Sequence, residues 1–281
     1  EIAAYLALGR FFGASWSLAV AGAIGGLLGV RAGINALTWM FGMLFASPAP
    51  RLGGKRTARL MLDEFAAFLL SFVLVIPFER LWMPKDRLPA GRQLPILLVH
   101  GFGCSRGVWW LLRRRLEAAG HVVATVSLFP VHVSMGKLVP QLQARIEAVC
   151  AATGAQQVVL VGHSMGGLIA RSYLARHGIA RVARLLTLAT PHQGSELARI
   201  GFGQSAREMT PGSPWLSDLA AEPIKIPALS LRNAYDNYVM PQDNQRHPQM
   251  QDIELPPAGH LALLYDRRVA ELLIDRLKPQ P

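Results

Sequence analysis

The 281-residue chain is short of cysteine, short of charge and shortest of acidic side chains. Two cysteines, Cys104 and Cys150, exclude a disulfide framework and any cysteine-based zinc site. Charged residues make up 17% of the chain beside 51% hydrophobic ones, which excludes a disordered polypeptide. Acidic residues number 18 against 29 lysines and arginines, a net charge of +11. Such an excess permits attraction to anionic lipid or to nucleic acid. No basic motif is interleaved with aromatics, so nucleic acid is not an expected partner and an anionic membrane is. The excess is not a tail, because residues 1–93 carry 10 basic and 5 acidic side chains and residues 94–281 carry 19 and 13. Arg113, Arg114 and Arg115 form the only run of three and read as a solvated helix face. The mean hydropathy of +0.27 points to membrane contact somewhere in the chain.

That contact is expected in the first ninety residues. Charge is absent for twenty residues from Phe11 to Val30 and for nineteen more from Ala32 to Pro50. About 20 apolar residues cross a bilayer core as a helix, so residues 2–46 have length for two crossings, interrupted by Arg10 and Arg31. The pairs Gly22/Gly26 and Gly25/Gly29 would let another helix backbone approach closely. A third apolar stretch, Phe65 to Phe78, reads as a short membrane helix, an interfacial helix or an element packed on the following domain. Membrane association is the favoured reading. A cleavable signal peptide fits poorly, since its single apolar core runs about 7–15 residues. Arg51, Lys55, Arg56 and Arg59 suggest a cytoplasmic loop, whereas Arg80, Lys85, Arg87 and Arg92 argue the reverse sidedness. The expected division is a membrane-associated helical region at 1–90 and a second domain at 91–281, in a bacterial inner membrane with the sidedness open.

The second part alternates. Short apolar runs at 94–100, 121–128, 156–161, 182–189 and 226–231, with a weak sixth at 252–255, suit buried parallel strands. Helical periods fill the gaps at 107–119, 138–152 and 165–177, and 261–277 closes the chain. This rhythm predicts an open, mostly parallel sheet with helices on both faces, and ligands then bind beyond the carboxyl ends of its strands.

Gly162-His163-Ser164-Met165-Gly166 is a G-x-S-x-G pentapeptide placed between a strand and a helix. A sharp turn there needs small neighbours, which Gly162 and Gly166 supply, and it lifts the serine hydroxyl clear of the sheet. His100-Gly101-Phe102-Gly103 follows the first strand. Acyl transfer needs two N–H donors aimed at the developing oxyanion, and the backbones of Met165 and Phe102 are the candidates. His100 ends a strand and reads as a structural hydrogen-bonding residue.

Together with a distant Asp and a final Gly-His, these segments resemble the α/β-hydrolase family. Ala189-Thr190-Pro191-His192-Gln193-Gly194-Ser195 and Pro211-Gly212-Ser213-Pro214-Trp215-Leu216 are similar to segments of bacterial lipases and related esterases. The resemblance covers roughly residues 94–281 and starts at the family's third strand. It implies the chain order nucleophile, acid, histidine. Asp236, in Tyr235-Asp236-Asn237-Tyr238-Val239-Met240-Pro241, resembles the family's D-x-x-V-x-P, with Asp243 as rival. His260, in Ala258-Gly259-His260-Leu261, stands where the base belongs. The implied activity is hydrolysis of carboxylic esters, lipid or otherwise hydrophobic, through an acyl-enzyme on Ser164, with neither metal nor cofactor required. The same residues would serve an acyltransferase, and a non-catalytic membrane interaction module is the reading from another class. Ile200, Phe202, Met209, Trp215 and Leu216 are expected either to wall the acyl pocket or to pack a connecting segment.

Overall fold

The computed structural model describes residues 1–91 and 93–278, so Arg92 lies outside it. Four helices precede the sheet: α1 (Ile2–Phe11), α2 (Trp16–Leu44), α3 (Gly54–Leu69) and the single turn α4 (Glu79–Trp82). Then follow β1 (Ile96–Val99), α5 (Trp110–Ala118), β2 (Val123–Val126), α6 (Met135–Thr153), β3 (Val158–His163), α7 (Met165–His177) and β4 (Val182–Leu188). Short helices α8 (Gln204–Glu208) and α9 (Pro214–Ala221) lead to β5 (Ala228–Arg232), β6 (Gln251–Glu254) and α10 (Arg267–Leu277).

All six expected strands form, in one sheet of order β2-β1-β3-β4-β5-β6, with every pairing parallel. Side chains alternate across a strand, so each buried run feeds two cores. Leu97 and Val99 join Leu142, Ile146, Leu168 and Tyr173 of α6 and α7 on one face. Ile96 and Leu98 join Leu112, Leu116, Val269 and Leu273 of α5 and α10 on the other. Two layers of helix therefore cover β1 to β5 on both sides, as their apolar runs require, while the polar edge strand β6 is largely exposed.

The run Arg113–Arg115 is not a solvated face. Arg113 is buried and, with Arg106 and Arg145, pairs with the buried carboxylate of Asp86 at 2.6–2.8 Å. That cluster pins the chain entering the sheet, and Arg115 donates to Tyr265 O, leaving Arg114 alone exposed. The closing helix is also interrupted. A 3-10 turn at Ala262–Leu264 comes first, and Asp266 then caps α10 by accepting from the Arg268 N–H.

The N-terminal region holds one long helix rather than two crossings. α2 runs unbroken for 29 residues through Arg31, whose guanidinium pairs with Glu1. It is the one helix among the described residues long and apolar enough to cross a membrane. α1, ten residues long, folds back along it, with Tyr5 against Gly26. The hairpin tip exposes Phe11, Phe12 and Trp16 at 81%, 76% and 64%. The far end of α2 changes character, for Asn35, Thr38, Trp39 and Gly42 are buried. α3 and the π-helical turn Leu70–Val75 that continues it are likewise packed down, with Ala67 and Phe68 against Leu261. The third apolar stretch packs on the following domain through Ala67 and Phe68 and leaves Leu74 and Phe78 exposed.

Candidate active site

Ser164 sits at the end of β3, immediately before α7, with φ 54° and ψ −128°. Positive φ is costly for a residue with a Cβ, on the order of 1–3 kcal/mol. Here the surroundings impose it. The Ser164 N–H donates to Leu188 O on β4 at 2.9 Å, and the following residues turn so tightly that a Cβ on Gly166 would stand 2.2 Å from Val99 O. The bare backbone of Gly101 lies against the serine, where a Cβ would be 2.8 Å from that of Ser164. Met165 opens α7, so its N–H is one of the unpaired donors at a helix start. The Phe102 N–H has no backbone acceptor among the described residues. Neither expected oxyanion donor therefore has a competing backbone partner among the described residues.

Asp236 and His260 meet. Asp236 is 1% exposed and its Oδ2 accepts from His260 Nδ1 at 2.8 Å. Its Oδ1 accepts from the N–H groups of Tyr238 and Val239 at 2.7 and 2.8 Å. Three hydrogen bonds therefore fix the carboxylate, and the imidazole is held with its proton on Nδ1 and its Nε2 unprotonated. The rival Asp243 is half exposed and pairs with Arg246 at the surface. The Tyr238 ring stacks on His260 at 5.0 Å between centroids. The last link of the line is open, since no hydrogen bond joins the Ser164 hydroxyl to His260 among the described residues. Such bonds commonly close only around a bound substrate.

The other histidines separate cleanly. His100 accepts from Leu128 N–H through Nε2 at 2.9 Å and donates from Nδ1 to Gly101 O at 2.8 Å. Burial drives its pKa down to about 4, so it is a neutral brace for the oxyanion loop. His192 lies between Thr187 and Arg171, buried and held well below its ordinary pKa by desolvation. His163 has a role that the motif alone did not reveal. Its Nε2 donates to His260 O at 3.1 Å with the two rings 4.5 Å apart, joining the residue before the serine to the candidate base.

Of the five apolar residues expected to wall a pocket or pack a connector, Met209 and Leu216 are buried in the core and Trp215 packs against it. Ile200 and Phe202 are exposed at 55% and 69%. Phe202 meets Phe102 edge-on at 6.4 Å and stacks on His132, so it leans over the oxyanion loop.

A parallel sheet of this order, a strained serine at a strand-to-helix turn and a buried Asp–His pair beyond the strand ends define the α/β-hydrolase fold. Residues 95–210 match the family model described as the alpha/beta hydrolase fold. A triacylglycerol lipase of Pseudarthrobacter phenanthrenivorans is 38% identical over 117 residues, which cover 39% of this chain and 36% of that protein. One from Pseudomonas fragi is 31% identical over 176 residues, covering 56% and 58%. The chain thus spans less than two thirds of the length of these curated relatives. In the crystal structure of the mature Bacillus licheniformis lipase BlEst2, 97% of that chain superposes on 70% of this one with a TM-score of 0.62 at 19% identity. Aspergillus fumigatus lipase B superposes with a TM-score of 0.60 at 15% identity, over 66% of this chain and 52% of its own. These likenesses establish the fold.

Proposed function

We propose that the chain is a serine hydrolase of carboxylic esters, acting on lipid or other hydrophobic esters from a membrane-associated position. The observation that carries this reading is the Asp236–His260 hydrogen bond at 2.8 Å, placed beside a serine forced to positive φ. In the proposed reaction His260 Nε2 takes the hydroxyl proton as Ser164 Oγ attacks the ester carbonyl. Asp236 keeps the imidazole in the required tautomer and stabilises its cation. The tetrahedral oxyanion is held by the N–H groups of Phe102 and Met165. His260 then protonates the leaving alcohol, and water attacks the acyl-enzyme by the reverse sequence. The likeness to triacylglycerol lipases supports a lipid or other hydrophobic ester as substrate. So do Phe202 and the exposed Phe129 near the oxyanion loop.

Membrane association is assigned to the α1–α2 hairpin. Its exposed apolar surface runs from Phe11 through Leu18, Ile24 and Leu28 to Ile34, an area that water disfavours and lipid does not. The proposed catalytic unit is residues 91–281, with residues 1–90 as the membrane-associated part. Purified full-length protein in detergent should label with a fluorophosphonate, and Ser164→Ala should abolish the label. A series of p-nitrophenyl esters then tests the substrate. A preference for acyl groups shorter than about four carbons would defeat the lipid reading and leave the hydrolase standing. Added alcohol acceptors distinguish hydrolysis from acyl transfer.

A further inference from the structure

The N-terminal helices reach the candidate active site itself. Glu64 of α3 is fully buried, and no basic side chain pairs with it among the described residues. Its carboxylate instead accepts from the backbone N–H of Leu261, at 2.9 and 3.1 Å, and of Ala262, at 2.8 Å. These are the two residues after the candidate base. The carboxylate packs so closely that a Cβ on Gly259 would lie 2.3 Å from Glu64 Oε2. From α2, Thr38 Oγ1 accepts from Asn237 Nδ2 at 2.8 Å, and Asn237 Oδ1 in turn accepts from the His260 N–H at 3.1 Å. Three successive backbone amides, 260 to 262, are therefore held by side chains. Two are held by Glu64 directly, and the third is held through an asparagine that Thr38 orients.

We propose that Glu64, and Thr38 acting through Asn237, are positioning residues that set the His260 loop, so that α2 and α3 are working parts of the catalytic apparatus. This inference rests on reading Ser164, Asp236 and His260 as the catalytic residues. His163 and Asn233 also hold the loop, but at its carbonyls, His260 O and Ala258 O, and no side chain of the loop itself holds the amides. Pro256 and Pro257 precede it with no N–H to donate, and Leu261, Ala262, Leu263 and Leu264 carry no polar side chain.

The charge of Glu64 has a second effect. The titratable groups in electrostatic reach are His260 and Asp236 of the catalytic loops, Tyr238 of the acid loop and Tyr265 behind the turn, with Cys104 beside the two tyrosines. Burial raises the Glu64 carboxyl to about 7, and when ionised it favours the cationic imidazole that forms as His260 takes the serine proton.

The test uses the full-length chain in detergent, with p-nitrophenyl butyrate hydrolysis followed from pH 5 to pH 9. Glu64→Ala should lower kcat by roughly tenfold or more, since small displacements of a catalytic group are costly, and leave KM within about twofold. Thr38→Val should lower kcat several-fold by the same route. Glu64→Gln keeps the shape and an acceptor and loses the charge. It should retain more activity than the alanine variant and move the acid limb of the kcat/KM profile to lower pH by roughly half a unit or more. A folded Glu64→Ala protein with wild-type kcat overturns the proposal. Where the alanine variant does not fold, Thr38→Val and Glu64→Asp, which shortens the reach of the carboxylate to the Leu261 and Ala262 amides, decide, and a wild-type kcat in both folded variants overturns the proposal. Ser164→Ala is the separate control. If it stays active, the hydrolase reading itself fails, whereas inactivity there with an unaffected Glu64→Ala sinks only the positioning role.

Discussion

Replacing Glu64 by Gln should change how stability depends on pH as well as how activity does. The carboxyl titrates near its ordinary value of 4.5 in the unfolded chain and at about 7 in the fold, because burial outweighs the hydrogen bonds from Ala262 and Leu261. Below pH 4.5 the proton is bound in both states and the residue exerts no penalty. Between 4.5 and 7 the unfolded chain releases the proton while the folded chain keeps it, so the fold loses stability as pH rises. Above 7 the loss is complete. At about 1.4 kcal/mol per pH unit the interval corresponds to about 3 kcal/mol. Glutamine carries no such proton. The thermal midpoint of Glu64→Gln minus that of the parent should therefore grow between pH 4 and pH 8, by roughly 5–10 °C for a chain of this size. Tryptophan fluorescence in detergent is a sufficient probe. A difference that stays constant across that range would refute a buried, unpaired carboxylate at this position. The activity measurements above ask the opposite of the same group, for its ionised form serves the imidazolium while its protonated form serves the fold.

The remaining predictions concern the triad and its turn. Asp236→Asn keeps the shape but not the tautomer of His260 and should lower kcat by about 10⁴-fold, whereas Asp243→Asn should stay within about twofold. Assaying the two variants side by side decides which aspartate is the acid. Gly166→Ala brings a methyl within 2.2 Å of the Val99 carbonyl and cannot be relieved by a rotamer change, so it should cost at least about 3 kcal/mol in urea unfolding or prevent folding. Phe102→Ala should retain most of the hydrolysis of small esters, because the proposed donor is the backbone N–H, and should raise KM for long-chain ones.

Much of this architecture was legible in the chain. The strands were visible because a sheet covered on both faces needs continuous apolar runs, and LPILLVH and QQVVLV have few other uses. Gly162 and Gly166 announced the turn because no other residue type fits there. Asp236 stood out from Asp243 only through the pattern around it, and its burial gives that pattern a physical basis. Glu64 and Thr38 left no such trace. Their partners lie 197 to 199 residues away, and a hydrogen bond across that distance imposes no periodicity on either segment. Arg31 misled in the opposite direction. A charge amid apolar residues reads as a break, but its pairing with Glu1 lets α2 pass straight through. Arg113 reads as solvated surface in the sequence because Asp86, the group it is buried with, is remote in the chain.

The continuity of α2 bears on how the molecule meets its surroundings. The stretch from Trp16 to Ile34, about 28 Å long, carries α1 along one side and exposes greasy side chains on the other, and it continues without proline into the stretch clamped to the acid loop. An anchor joined by a floppy tether would let the hydrolase tumble. In the membrane-associated state proposed above, a stiff mast bolted next to the candidate site would hold its opening at one height and one attitude above the bilayer, and would transmit any tilt of that mast to Asp236.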